Sequence, residues 1–238
     1  MTRFKGKTVI VTGAGTGIGA ATVRRLTQDG ADVILTGRRL DPIEEVAAAC
    51  GGVAVAGDAA SADHAAALVE LARSRFGGLD ALVCNAGGFG FGTLTDMSDS
   101  DWSRSVEANL NTAMVMARAA IPELTPRRGN ILMMASIAAL ASGPEACGYV
   151  TMKHGLIGLT RSIARDYGKH GVRCNAICPG WVRTEMADME MDELMRRKGL
   201  ASRDDAYALV TRDVPLGAPP TPQTSQQRSL SCALTRQR

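Results

Sequence analysis

A short apolar run, Thr8-Val9-Ile10-Val11, leads straight into Thr12-Gly13-Ala14-Gly15-Thr16-Gly17-Ile18-Gly19, and the apolar spacing then turns helical from Ala20 to Leu26. Strand, glycine turn and helix in that order constrain the fold more than any other feature. Gly13 and Gly17 permit a tight turn and close backbone approach, and Gly19 lets the helix lie against a sheet. The helix start then offers backbone N–H groups and a positive dipole end to a pyrophosphate. Further apolar runs at 33–35, 53–55, 81–84, 131–134 and 172–177 alternate with helical stretches near 62–75, 99–124 and 148–168. Asp41-Pro42-Ile43-Glu44 reads as another helix start, with Asp41 as its cap and Pro42 at the first helical position. Continuous apolar strands separated by helices predict an α/β fold, a doubly wound parallel sheet with helices on both faces. Ligands of such sheets sit beyond the carboxyl ends of the strands.

The chain has 238 residues, 45% apolar and 21% charged, enough for one sizeable core. A net charge of +3 with no long basic run predicts neither a nucleic-acid nor a membrane partner. No stretch of eighteen apolar residues occurs, and Met1 to Lys7 leads into the first strand without room for a signal peptide, so a soluble cytoplasmic protein is expected. The six cysteines form no CxxC pair and the three histidines have no metal-ligand spacing, so no metal site is expected. Cys84, Cys174 and Cys178 stand in strand-like runs, where thiols act as small buried hydrophobes.

The chemistry concentrates at Tyr149-Val-Thr-Met-Lys153, thirteen residues after Ser136. Positions four apart share a helix face, so the Tyr149 phenol can stand beside the Lys153 ammonium. A phenol with an ordinary pKa of about 10 must lose roughly two to three units to exchange protons near neutrality, about 3 to 4 kcal/mol of differential stabilisation. Ser136 can hydrogen-bond a substrate oxygen and orient it toward Tyr149. The arrangement points to hydride chemistry on a carbonyl or alcohol.

Thr12-Gly-x-x-x-Gly-x-Gly19, Asn85-Ala86-Gly87, Asn109, Ser136, Tyr149-x-x-x-Lys153 and Pro179-Gly180 resemble, in order, the motifs of the short-chain dehydrogenase/reductase family, over residues 5 to about 218. The resemblance implies a single-domain Rossmann fold, a nicotinamide cofactor and a catalytic tetrad of Asn109, Ser136, Tyr149 and Lys153, with a water held by Asn109. It further implies cofactor contacts from Gly13, Thr16, Gly17, Ile18, Gly19, Asp58, Asn85, Ala86, Gly87, Pro179, Gly180 and Thr184, besides Tyr149 and Lys153. The implied activity is ketone and secondary-alcohol interconversion. The rival readings are an NAD-dependent alcohol or diol dehydrogenase and a non-catalytic dinucleotide-binding protein.

An NAD-preferring relative would end its second strand with a carboxylate for the ribose 2′-hydroxyl. Thr36-Gly37-Arg38-Arg39 stands there instead, and Arg38 or Arg39 could pair with a 2′-phosphate. NADP(H) is therefore favoured, with NAD(H) as the alternative. The substrate would be a small ketone or alcohol, bounded by loops after Gly87, Ser136 and Gly180. Met186, Met189, Met191, Leu194 and Met195 in the last of these suit an apolar lid or plain packing. Arg127 and Arg128 resemble part of an acyl-carrier docking surface of 3-oxoacyl reductases.

The resemblance fails at the end of the chain. Relatives close the sheet edge with a seventh strand and assemble as homodimers or homotetramers, whereas residues 220–238 are polar, Pro/Gln/Ser/Thr-rich and lack strand or amphipathic pattern. The expected division is 1–219 for the dinucleotide-binding and catalytic domain and 220–238 for a disordered tail, without the seventh strand.

Overall fold

Six parallel strands form one sheet in the computed structural model, which describes residues 2–212. They are β1 (Thr8–Thr12), β2 (Asp32–Gly37), β3 (Val53–Ala56), β4 (Ala81–Cys84), β5 (Asn130–Met134) and β6 (Arg173–Ile177). Their order is β3-β2-β1-β4-β5-β6, so the chain reverses its direction of winding between β1 and β4. In the register, Val9 pairs with Val33 on one side and Ala81 on the other. That crevice at the carboxyl ends is where such sheets receive ligands.

Successive side chains of a strand point to opposite faces, and here both faces are covered, which is why β1 is apolar at consecutive positions. Ile10, Ile34, Leu82 and Ile131 face α3 (Ala62–Phe76), α5 (Thr112–Arg127) and α6 (Cys147–Tyr167) and pack with Leu68, Met116, Leu124 and Leu156. Val9, Val11, Val33 and Leu35 face α1 (Gly17–Gln28) and α2 (Leu40–Cys50) and pack with Val23, Leu26, Ile43 and Val46. Each fully buried aliphatic side chain contributes about 1.5 to 3 kcal/mol. The α/β doubly wound expectation holds.

Two helix readings need correction. Asp41 is not a cap: α2 starts at Leu40 with Arg39 at the N-cap, and Asp41 lies in the first turn. Pro42 is still accommodated, because the first-turn N–H groups have no intrahelical acceptor to lose. The stretch 99–124 is not one helix either. It comprises α4 (Asp99–Val106), a π-helical turn at Glu107–Asn111, and α5, which runs to Arg127 through Pro122 and Pro126.

After β6, α7 (Glu185–Lys198) and α8 (Arg203–Thr211) make a hairpin with its own small core of Met191, Ala206 and Tyr207. The Tyr207 hydroxyl donates to Asp188 at 2.8 Å, and Arg203 bridges to both Asp188 and Asp192. Among the described residues β6 is the sheet edge beyond β5, and no helix is long and apolar enough to cross a membrane. The predicted polar tail at 220–238, and with it the missing seventh strand, lies outside the described residues.

Candidate active site

The site is assembled where β1, β4, β5 and β6 end. Thr12, the last residue of β1, is buried, and its hydroxyl accepts from the Asn85 and Ala86 N–H groups at 3.0 and 2.9 Å. The Asn85 amide returns the contact, donating to the carbonyls of Thr12 and Gly13. These bonds clamp the glycine turn against the end of β4. Gly13 and Gly17 both take positive φ, +61° and +53°, as a turn of this tightness requires. A Cβ on Gly19 would stand 2.1 Å from the Gly13 carbonyl oxygen, so the turn tolerates no side chain there. At the start of α1, Thr16 makes no side-chain cap, and that side chain leaves the positive helix end open to an anion.

Facing this turn, Tyr149 and Lys153 project from α6. Lys153 is 4% exposed, donates from Nζ to the Met134 carbonyl at 3.0 Å, and lies 5.5 Å from the centre of the Tyr149 ring. The Ser136 hydroxyl accepts from the Ala138 N–H at 3.2 Å and hydrogen-bonds the Tyr149 side chain. Phe91 stacks on Tyr149, centroids 5.2 Å apart. A cleft of about 270 Å³ holds the phenol and ammonium together with Gly13, Thr16, Gly17, Ile18, Asn85, Ala86, Gly87, Pro179, Gly180 and Thr184.

Asn109 is fully buried in the π-helical turn and does not line this cleft. Its Oδ1 accepts from the Gly88 N–H at 2.8 Å, and its Nδ2 donates to the carbonyls of Gly88, Phe89 and Ser105. Phe89 has φ +79°, a conformation that costs a non-glycine residue energy, and Asn109 holds the loop in it. A Cβ on Gly87 would meet Lys153 Nζ at 3.1 Å and Asn109 Oδ1 at 3.2 Å, so both side chains press on that glycine.

The short chain dehydrogenase family profile matches residues 7–194. The chain belongs to that family. It is 46% identical to protein MoaE of Klebsiella aerogenes over 222 residues, 93% of this chain and 86% of that protein. It is 38% identical to the L-rhamnose 1-dehydrogenase (NAD(P)(+)) of Azotobacter vinelandii, covering 83% and 81% of the two chains. The ligand-free aldohexose dehydrogenase of Thermoplasma acidophilum superposes with a TM-score of 0.85 at 29% identity, over 98% of this chain and 88% of that one. This short-chain dehydrogenase is thus an oxidoreductase acting on CH–OH groups. The family depends on NAD(P).

The outer half of the groove, about 780 Å³, continues past Gly15 toward β2 and β3. Arg38, Arg39 and Asp58 line it, with Thr36 and Gly37. No ion pair engages Arg38 among the described residues, whereas Arg39 reaches Glu185 at the start of α7, 3.7 Å away. Asp58 is exposed and accepts from the Ala60 N–H at 2.9 Å, so it also shapes the turn before α3. Thr184 likewise serves two places: it caps α7 by accepting from Ala187, and its methyl lies against Gly17.

The electrostatics depart from the simple pairing of phenol and ammonium. Burial raises the Tyr149 pKa, the Ser136 hydrogen bond lowers it, and the Glu190 carboxylate raises it again. Burial lowers Lys153 from 10.5 to about 8. Burial also raises the thiols of Cys84 and Cys174, which fits their reading as inert hydrophobes.

The methionine-rich segment divides. Met191, Leu194 and Met195 pack within the α7–α8 hairpin, while Met186 lines both halves of the groove and touches Gly88. Arg127 is occupied, donating to Asp80 at 3.1 Å and to the Gly77 carbonyl, at the sheet end opposite the groove. Sequence reasoning missed Met134, Ala135 and above all Glu190, all of which line the inner cleft. Glu190 had a signal: it follows Met186 by four residues and so shares its helix face.

Proposed function

We propose that this short-chain dehydrogenase interconverts a ketone and a secondary alcohol using NADP(H), with Tyr149 as general acid and base. The observation that carries the reading is Tyr149 and Lys153 lining one cleft with the glycine turn, with Ser136 beside the phenol. The cofactor fits the residues present: Gly13 and Gly19 let the turn fold tightly against Asn85 and Ala86, the start of α1 offers its positive end to a pyrophosphate, and the groove runs on to Arg38. When bound, it would supply or accept the hydride.

The chain's own residues handle the proton. Tyr149 gives its phenolic proton to the carbonyl oxygen on reduction and takes the hydroxyl proton on oxidation. Ser136, already hydrogen-bonded to the phenol, orients the same oxygen and stabilises charge on it. Lys153 lies beneath the ring and, protonated, favours the phenolate. Asn109 acts indirectly, by fixing Gly88 and Phe89 in the loop whose Gly90 carbonyl accepts from the Tyr149 N–H and whose Phe91 stacks on its ring. Arg38, without an ion-pair partner among the described residues, is assigned to the ribose 2′-phosphate, and Asp58 to the adenine end.

The test is a panel of small ketones and secondary alcohols assayed by nicotinamide absorbance with NADP(H) and NAD(H) in parallel. Turnover favouring NADP(H) is expected. Turnover with NAD(H) alone would transfer the assignment to the NAD-dependent reading, and cofactor binding without turnover of any substrate would leave a dinucleotide-binding protein.

A further inference from the structure

Five carboxylates stand on α7, and four have an arginine. Glu185 faces Arg39, Asp188 and Asp192 share Arg203, and Glu193 pairs with Arg196. Glu190 has neither an ion pair nor a hydrogen bond among the described residues, and its side chain lines the inner cleft with Tyr149. Cations of the cleft and of the flanking segments are committed elsewhere. Arg183 binds Asp204 and covers the Tyr207 ring, Arg197 binds Glu145, and Lys153 Nζ is held by the Met134 carbonyl.

We propose that Glu190 is the specificity residue for a substrate bearing a protonated amine, so that the ketone or alcohol handled at Tyr149 is an amino ketone or amino alcohol. The inference rests on the reading of Tyr149 given above. An unpaired carboxylate brought out of water is costly, and a ligand ammonium with its N–H donors is the partner that offsets that cost. The cleft that Glu190 lines also carries Trp181, Val182, Met186, Ala187, Met134 and Ala135, an apolar wall that suits one charge on an apolar body. Trp181 adds an aromatic face of the kind that attracts cations. Burial holds the Glu190 carboxyl up at about 7, the state of a group still lacking its counter-charge.

Matched probes that exchange an ammonium for a methyl group test this. The pairs are 4-amino-2-butanol with 2-pentanol and 2-amino-1-phenylethanol with 1-phenyl-1-propanol. In at least one pair the amine should be preferred in kcat/KM by about tenfold or more, the span of a charged hydrogen bond, and Glu190→Gln should collapse that ratio toward one. 3-Hydroxybutyrate should be disfavoured by the wild type. Quenching of tryptophan fluorescence measures probe binding without turnover, and the same preference, with the same loss in Glu190→Gln, is expected there. Equal binding of both members of each pair, or a preference that survives Glu190→Gln, overturns the inference whatever the turnover. Oxidation of the neutral alcohols without preference for the amines overturns it while leaving the proposed function standing.

Discussion

Lys153→Met should make the cofactor-free protein more stable at pH 7 while disabling it. Lys153 is 4% exposed, and burial holds its pKa at about 8 against 10.5 in the ordinary case. The direction follows from linkage. Above the unfolded value of 10.5 the side chain is neutral in both states and nothing is lost. As pH falls from there toward 8 the unfolded chain takes up a proton that the folded chain resists, and stability drops until both states are protonated. At about 1.4 kcal/mol per pH unit, the full loss below pH 8 is about 3 kcal/mol. Methionine removes that loss but leaves the Met134 carbonyl without its donor, a cost of about 1 to 2 kcal/mol. The net gain at pH 7 is therefore about 1 to 2 kcal/mol, shrinking to nothing or reversing by pH 10. Urea unfolding of both proteins at pH 7 and pH 10 measures it, since other titrating groups cancel in the difference. A wild type that is the more stable at pH 7, or a difference indifferent to pH, would refute the argument.

Arg38→Ala should weaken NADPH binding by about 1 to 3 kcal/mol and leave NADH almost unchanged, as read by fluorescence titration of each cofactor. Equal losses would move the 2′-phosphate to Arg39, whose pairing with Glu185 would then have to open. Gly19→Ala places a methyl 2.1 Å from the Gly13 carbonyl oxygen, so the turn must shift and cofactor affinity should fall at least tenfold, a loss of about 1.4 kcal/mol or more. Wild-type affinity in a folded Gly19→Ala protein, measured by calorimetry, would show that the turn does not carry the pyrophosphate.

The fold was legible because both sheet faces are covered. Val9 and Val11 bury on one side and Ile10 on the other, so the strand announces itself as an unbroken apolar run. Boundaries were less so: the π-helical turn at Glu107–Asn111 lies within an otherwise continuous helical pattern, and the grip of Asn109 on the Gly88–Phe89 loop that accompanies it is a tertiary contact. The inner site was legible wherever spacing maps onto geometry, as with Tyr149 and Lys153 one turn apart. Glu190 was not, because its distinction is that, among the described residues, it lacks the partner that its neighbours Asp188 and Asp192 possess, and such a lack is visible only in three dimensions. Nor could spacing reveal that burial pushes the Tyr149 phenol upward, against the lowering its chemistry requires.

That opposition bears on the central claim, that Tyr149 is the proton donor and acceptor. Tyr149→Phe keeps the ring, its stacking on Phe91 and its place above Lys153, and removes only the hydroxyl that meets Ser136. Steady-state turnover of the best ketone or alcohol, with cofactor affinity determined in the same preparation, is the most direct measurement. A fall in kcat of about a hundredfold or more, with the cofactor dissociation constant unchanged, is the expected result. Turnover retained within a few-fold would contradict the account.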